Sequence, residues 1–158
     1  MTNSQEGKKQ SWDGMFYSIQ RIDLLIISIC GAGVYVCLET IKYLASTKTE
    51  CKCLYLIKFS ALFFLIGIIL NLISQQFGYK ANQHSYLMYD CEVEIDEIKA
   101  KNDQQELVEK LQELENCKNN YDKESEKFSN LTTTLNYTSM VFMFVGLIFT
   151  FIFFVITF

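Results

Sequence analysis

Apolar residues in this chain are gathered in blocks. Positions 22–45, 53–75 and 138–158 hold nearly all of its long aliphatic and phenylalanine side chains, and the stretch between the last two blocks is densely charged. A soluble fold interleaves apolar and polar positions at period 3.6 or 2. Separation by block predicts membrane helices, because about 20 apolar residues cover a hydrocarbon core of about 30 Å. The first block, IDLLIISICGAGVYVCLETIKYLA, carries Glu39 and Lys42 in its last third. The second, CLYLIKFSALFFLIGIILNLIS, has Lys58 near its start and Asn71 near its end. The third, TSMVFMFVGLIFTFIFFVITF, has no charge. None reads as a signal peptide: the first block follows a polar lead and is soon followed by another span, and the third lies at the far end.

A short connection, Ser46–Lys52, joins the first two blocks, so they are expected to form a tight antiparallel hairpin. At 1.5 Å rise per residue, Glu39 and Lys58 each lie about 10 Å from that connection, at matching depth. Three readings follow. The two side chains form an ion pair that steadies the hairpin, since opposite charges at one depth cost far less than a lone charge. Alternatively the spans are shorter, 22–38 and 59–75, with both charges at the headgroups. In the third reading Glu39, repeated around an oligomer, rings a cation pathway, with Asn71 a further lining candidate. Gly31 and Gly33 would let a neighbouring helix approach closely. Phenylalanines surround the third span on all sides, which suits an outer, lipid-facing helix better than a pore wall.

The acidic segment, 76–137, is free of proline, and its composition is strongly helical. One seven-residue stripe holds Met88, Cys91, Ile95 and Ile98. A second holds Leu107, Leu111, Leu114, Tyr121, Phe128, Thr132 and Leu135, with Lys118 and Ser125 as polar members. The stripes are out of register across Lys101–Gln105. A turn near Asn102–Asp103 would give two arms of comparable length and a coiled hairpin about 40–50 Å tall; a turn at Asn119–Asn120 would leave the arms far less equal. The hairpin is then either a plain solvated stalk or a surface that self-associates and receives a partner. The expected fold class is therefore an all-α membrane protein with three transmembrane helices and a helical hairpin between the second and third. Its parts are an N-terminal segment (1–21), the two-span hairpin (22–75), the acidic hairpin (76–137) and a C-terminal span (138–158).

In the N-terminal segment, SWDGMFYSIQRID spaces Trp12, Met15, Phe16 and Ile19 as on a helix face, which reads as a short helix lying at the membrane surface. Lys8, Lys9, Arg21, Lys80, Lys123 and Lys127 fall on the side of the N-terminus and acidic hairpin. Lys48 and Lys52, with Lys42 and Lys58 at most, fall on the other. The balance favours a cytoplasmic N-terminus and hairpin with the C-terminus outside.

Composition agrees: half the residues are hydrophobic and 15% are aromatic. The net charge of −4 conceals an uneven distribution, because residues 85–127 carry thirteen acids against six lysines. Such a surface repels duplex nucleic acid. Of the six cysteines, Cys30 and Cys37 lie in an apolar block, Cys51 and Cys53 make a lone Cys-x-Cys, and Cys91 and Cys117 sit in the acidic segment. That spacing lacks the second pair of a zinc site, so no metal or cofactor is expected. His84 reads as an interface residue, and Asn130 and Asn136, though both in sequons, as polar helix positions. No phosphate loop, His-Glu-x-x-His or nucleophile elbow is present, so no enzymatic activity is expected.

The short amphipathic lead-in SWDGMFYSIQRID, two closely coupled spans and the aromatic-then-helical run beginning FGYKANQHSYLMYD resemble the SLATT membrane effectors of bacterial nucleotide-signalling antiviral systems, including the Hailong type. The resemblance is one of architecture over about residues 10–115, and the third span departs from the simplest two-span form of that family. It implies a homo-oligomeric channel in the lipid bilayer, kept shut by a regulatory protein or nucleotide ligand, whose opening depolarises an infected cell.

Overall fold

The structure is a computed structural model that describes residues 3–47, 53–100 and 106–157, with side chains described for 21–47, 53–99 and 110–157. The described residues form three helices, α1 (Asn3–Ser46), α2 (Leu54–Ala100) and α3 (Glu106–Thr157). Their length follows from what the sequence lacks. There is no proline to remove a backbone donor, and an isolated interior glycine costs only about 1 kcal/mol relative to alanine. For the same reason the lead-in is not a separate surface helix: α1 runs unbroken from Asn3 through the expected boundary near Arg21. At the end of α1 the Tyr43 carbonyl accepts from the Thr47 backbone N–H at 3.0 Å and from the hydroxyls of Ser46 and Thr47 at 2.8 and 3.0 Å, so side chains supplement the last backbone bond of the helix. Asn119 and Asn120 lie inside α3, and the expected turn residues, 101–105, lie outside the described residues.

Each helix contains a stretch long and apolar enough to cross a membrane. The chain divides into two compact units, Met1–Leu72 with Asn136–Phe158, and Ile73–Leu135. In the first unit all three helices contribute to one core: Ile26, Cys30, Cys37 and Leu44 from α1, Leu56, Ile57 and Phe64 from α2, and Met143 and Phe153 from α3. The third span is thus not merely an outer helix. Phe144 and Phe151 face outward, but Phe153 is fully buried, and Phe149 stacks on Phe63 of α2 at 5.4 Å. Lipid tails are as apolar as these side chains, so close packing and hydrogen bonds, rather than exclusion from water, must hold the bundle.

The second unit is an antiparallel pair made by the end of α2 and the start of α3. Ser85 meets Ser125 at 2.7 Å, and seven residues further along α2 Glu92 meets Lys118 at 2.8 Å. Ser125 and Lys118, the polar members of the seven-residue stripe, therefore have cross-arm partners. Ile95 is buried, while Ile98, Leu111, Leu114, Tyr121 and Phe128 are half-buried; the side chain of Leu107 lies outside the described residues. His84 stacks on Phe128, with ring centroids 5.5 Å apart, and tilts against Tyr121 at 5.9 Å. The ammonium of Lys80 lies 5.6 Å from the Phe128 ring centre, a cation–π contact worth about 0.5–1 kcal/mol at an exposed site.

Candidate functional site

The interior of the three-span unit is a polar seam in an apolar bundle, built from a seven-residue spacing. On α2 the hydroxyl of Ser60 donates to the Gly146 carbonyl of α3 at 2.6 Å. One heptad on, the direction reverses: Ser139 of α3 donates to the Gly67 carbonyl at 2.8 Å. At Gly67 an added Cβ would lie 3.2 Å from the Cys30 sulfur and 3.5 Å from the Ser139 carbonyl oxygen, so three helices converge there. The same arrangement recurs within the hairpin unit, where Ser74 donates to Thr132 O at 2.9 Å and Ser125 to Ala81 O at 3.1 Å. Small residues bring the backbones close enough for a short hydroxyl to span the gap, and each hydroxyl reaches a carbonyl already bonded within its helix.

Beside Ser60, the Thr150 hydroxyl lies 2.5 Å away and the Cys37 thiol donates across 3.7 Å, so one node ties α1, α2 and α3 together. One turn further along α2, Phe64 is fully buried between two glycines. Added Cβ atoms at Gly33 of α1 and Gly146 of α3 would lie 2.5 and 2.9 Å from its ring. Asn71, also fully buried, donates its amide to the Asp23 carboxylate at 3.1 Å.

The residues singled out in the sequence are placed as follows. Gly33 provides one of the notches for Phe64, whereas Gly31 faces open space with nothing within 4 Å. Glu39 is exposed and its carboxylate lies 3.6 Å from Lys42 of its own helix; Lys58 is exposed on α2. The structure thus pairs Glu39 along α1 rather than across to Lys58, and it turns Asn71 inward toward Asp23. Asp23, Ser60, Phe64, Gly67, Ser139 and Gly146 were not anticipated. For Ser60, Gly67, Ser139 and Gly146 the signal was the seven-residue recurrence of small residues, not the apolar pattern; Asp23 and Phe64 stand outside that recurrence.

Ser139→Ala removes one seam hydroxyl with little change of volume. It is expected to lower stability in detergent micelles by about 0.6 kcal/mol, the average for interhelical hydrogen bonds in membrane proteins. Ser139→Leu, forced against Gly67, should cost several times more. Equal melting of the two variants by circular dichroism would show that the close approach at Gly67 is not constrained.

These features define an all-helical protein whose three helices are each long and apolar enough to span a bilayer. No protein family, curated protein or solved structure matches the chain.

Proposed function

We propose that the chain is a pore-forming membrane effector in which several copies surround an ion path and the acidic hairpin gates it under control of a partner protein or nucleotide ligand. The observation that carries this reading is the contrast between a filled interior and an outward charge. Within one copy Ile26, Cys30, Cys37, Ile57, Phe64, Asn71 and Phe153 are all at most 1% exposed, so an ion path runs between copies. Glu39, about 10 Å inside the end of α1, turns its carboxylate outward with the side chain about half exposed. A single bundle would present that charge to lipid, at a cost of about 2.5–3.5 kcal/mol at mid-membrane depth on insertion scales and less toward the interface. Assembly around water removes the cost. Glu39 is accordingly the lining candidate, and Asn71 a packing residue of each copy. By its resemblance to SLATT effectors, opening would depolarise a bacterial inner membrane and arrest phage replication, with N-terminus and hairpin in the cytoplasm.

The test is a bilayer recording of the purified chain across a potassium chloride gradient. Cation selectivity is expected, with the reversal potential moving toward zero in Glu39→Gln while assembly is retained. An intact homo-oligomer that passes no current under any partner or ligand condition would sink the proposal. A second reading, an accessory subunit of a larger membrane complex, draws on Tyr79, Tyr86 and Val93. They recur every seven residues on the hairpin, all more than half exposed, and offer a docking stripe. A chain that purifies only as an unstable monomer would favour it.

A further inference from the structure

Two cysteines of the hairpin face each other across the arms. Cys91 of α2 and Cys117 of α3 each immediately precede a residue of the Glu92–Lys118 pair, whose atoms are 2.8 Å apart. Their thiols lie within hydrogen-bonding reach of one another, and the Tyr121 hydroxyl within reach of Cys117. Both are free thiols and both are only half-buried, so a small oxidant can reach them. Among the described residues no set of three His, Cys, Asp or Glu is placed to hold a metal ion. The register that brings the thiols together is set by Glu92–Lys118 at their own level and by Ser85–Ser125 one heptad away along the arms.

We propose that Cys91 and Cys117 are a modification site: a dithiol that a disulfide oxidant converts reversibly into a covalent link between the two arms. One cysteine thiolate attacks a sulfur of the oxidant, forming a mixed disulfide and releasing one oxidant thiolate. The second cysteine thiolate attacks the protein-side sulfur and releases the other. Two protein thiols are oxidised, the oxidant disulfide is reduced to two thiols, and the two protons pass through solvent to the released thiolates. The product closes a loop over residues 92–116 and prevents the arms from separating at that level. Reduction by excess thiol restores the free pair.

Reactivity should be slow near neutral pH. Burial, then the hydrogen bond and charge of Cys117, then Glu94 and Asp90, hold the Cys91 thiol above its ordinary range. From α3 it is faced by Cys117 and by Tyr121, whose hydroxyl is also held up, chiefly by Cys117. Thiolate is the reactive form, so the rate of linking is expected to rise between pH 7 and 9, by up to about tenfold per unit while Cys91 remains mostly protonated.

The full chain in detergent is incubated with oxidised glutathione, the remaining thiols are blocked with a maleimide, and the protein is digested with trypsin without reduction. Cleavage after Lys80, Lys99, Lys110 and Lys118 places Cys91 on fragment 81–99 and Cys117 on fragment 111–118. The expected product is these two fragments joined, from protein that migrates as a monomer on a non-reducing gel, and its loss in Cys91→Ser and Cys117→Ser with helicity unchanged. Recovery of both fragments singly, each carrying maleimide, at oxidant levels that link a control dithiol would overturn the proposal. So would linkage of either cysteine to another copy in place of its partner.

Discussion

Phe64→Ala is expected to destabilise the three-span unit by about 3–5 kcal/mol, the usual cost of truncating a fully buried phenylalanine. The ring is fully buried and fills notches in both neighbouring helices, so its loss leaves a void at the meeting point of α1, α2 and α3. Filling a notch instead is the complementary perturbation. A Cβ at Gly33 would fall 2.5 Å from the ring, and one at Gly146 2.9 Å. A ring tip can ordinarily swing aside, but this one is bounded on both sides. Gly33→Ala should therefore cost about 1–3 kcal/mol, as overpacking does. Gly33→Ala with Phe64→Leu should recover most of that loss, because the smaller side chain frees the space the new methyl takes. Gly31→Ala is the control: with open space around it, it should be neutral or slightly stabilising through helix propensity. Thermal unfolding in mixed micelles, followed by circular dichroism, reads all four. Parent-like melting of Phe64→Ala would mean the ring is not wedged as the structure has it.

The helical class and the three apolar spans were legible in the sequence because block-wise hydrophobicity and the lack of proline are local properties, whereas the continuity of the lead-in with α1 was not. Contacts between helices were legible only where a period encodes them. Ser60, Gly67, Ser74 and Ala81 recur every seven residues on α2, and Ser125, Thr132, Ser139 and Gly146 on α3. Attention to apolar stripes passes over these residues, although in lipid small and hydroxyl-bearing residues mark the interface better than apolar ones do. The third span shows the difference. Phenylalanines all round it suggested an outer helix, but Ser139, Gly146 and Phe153 on one heptad stripe turn it into the core. Glu39 and Lys58 show another limit. Connection length sets depth but not azimuth, and each residue turns a helix by about 100°, so equal depth did not imply facing side chains. Glu39 instead lies near Lys42, three positions along the same helix and on the same face. Asp23, the acid that Asn71 meets, carried no signal at all, since no spacing rule joins position 23 to position 71.

That last pair has a distinct expected signature. Asn71→Leu keeps the branching and heavy-atom count of the side chain, at some gain in bulk, but removes the amide that donates to Asp23 at 3.1 Å. A carboxylate deprived of a donor at the edge of the span should cost about 1–3 kcal/mol. Removing both groups is different in kind, because neither member of the Asp23–Asn71 bond is then left without the other. The double variant Asp23→Leu/Asn71→Leu should regain most or all of the parent stability, and Asp23→Asn, which keeps an acceptor oxygen, should fall between. The comparison separates a hydrogen bond that holds the bundle from one that is merely tolerated in it. If Asn71→Leu melts with the parent, water or lipid headgroups already serve Asp23 and the pair contributes little. If the double variant is no better than Asn71→Leu alone, Asn71 acts through packing in the core rather than through Asp23. A regain in the double variant would show that stability does not require this pair.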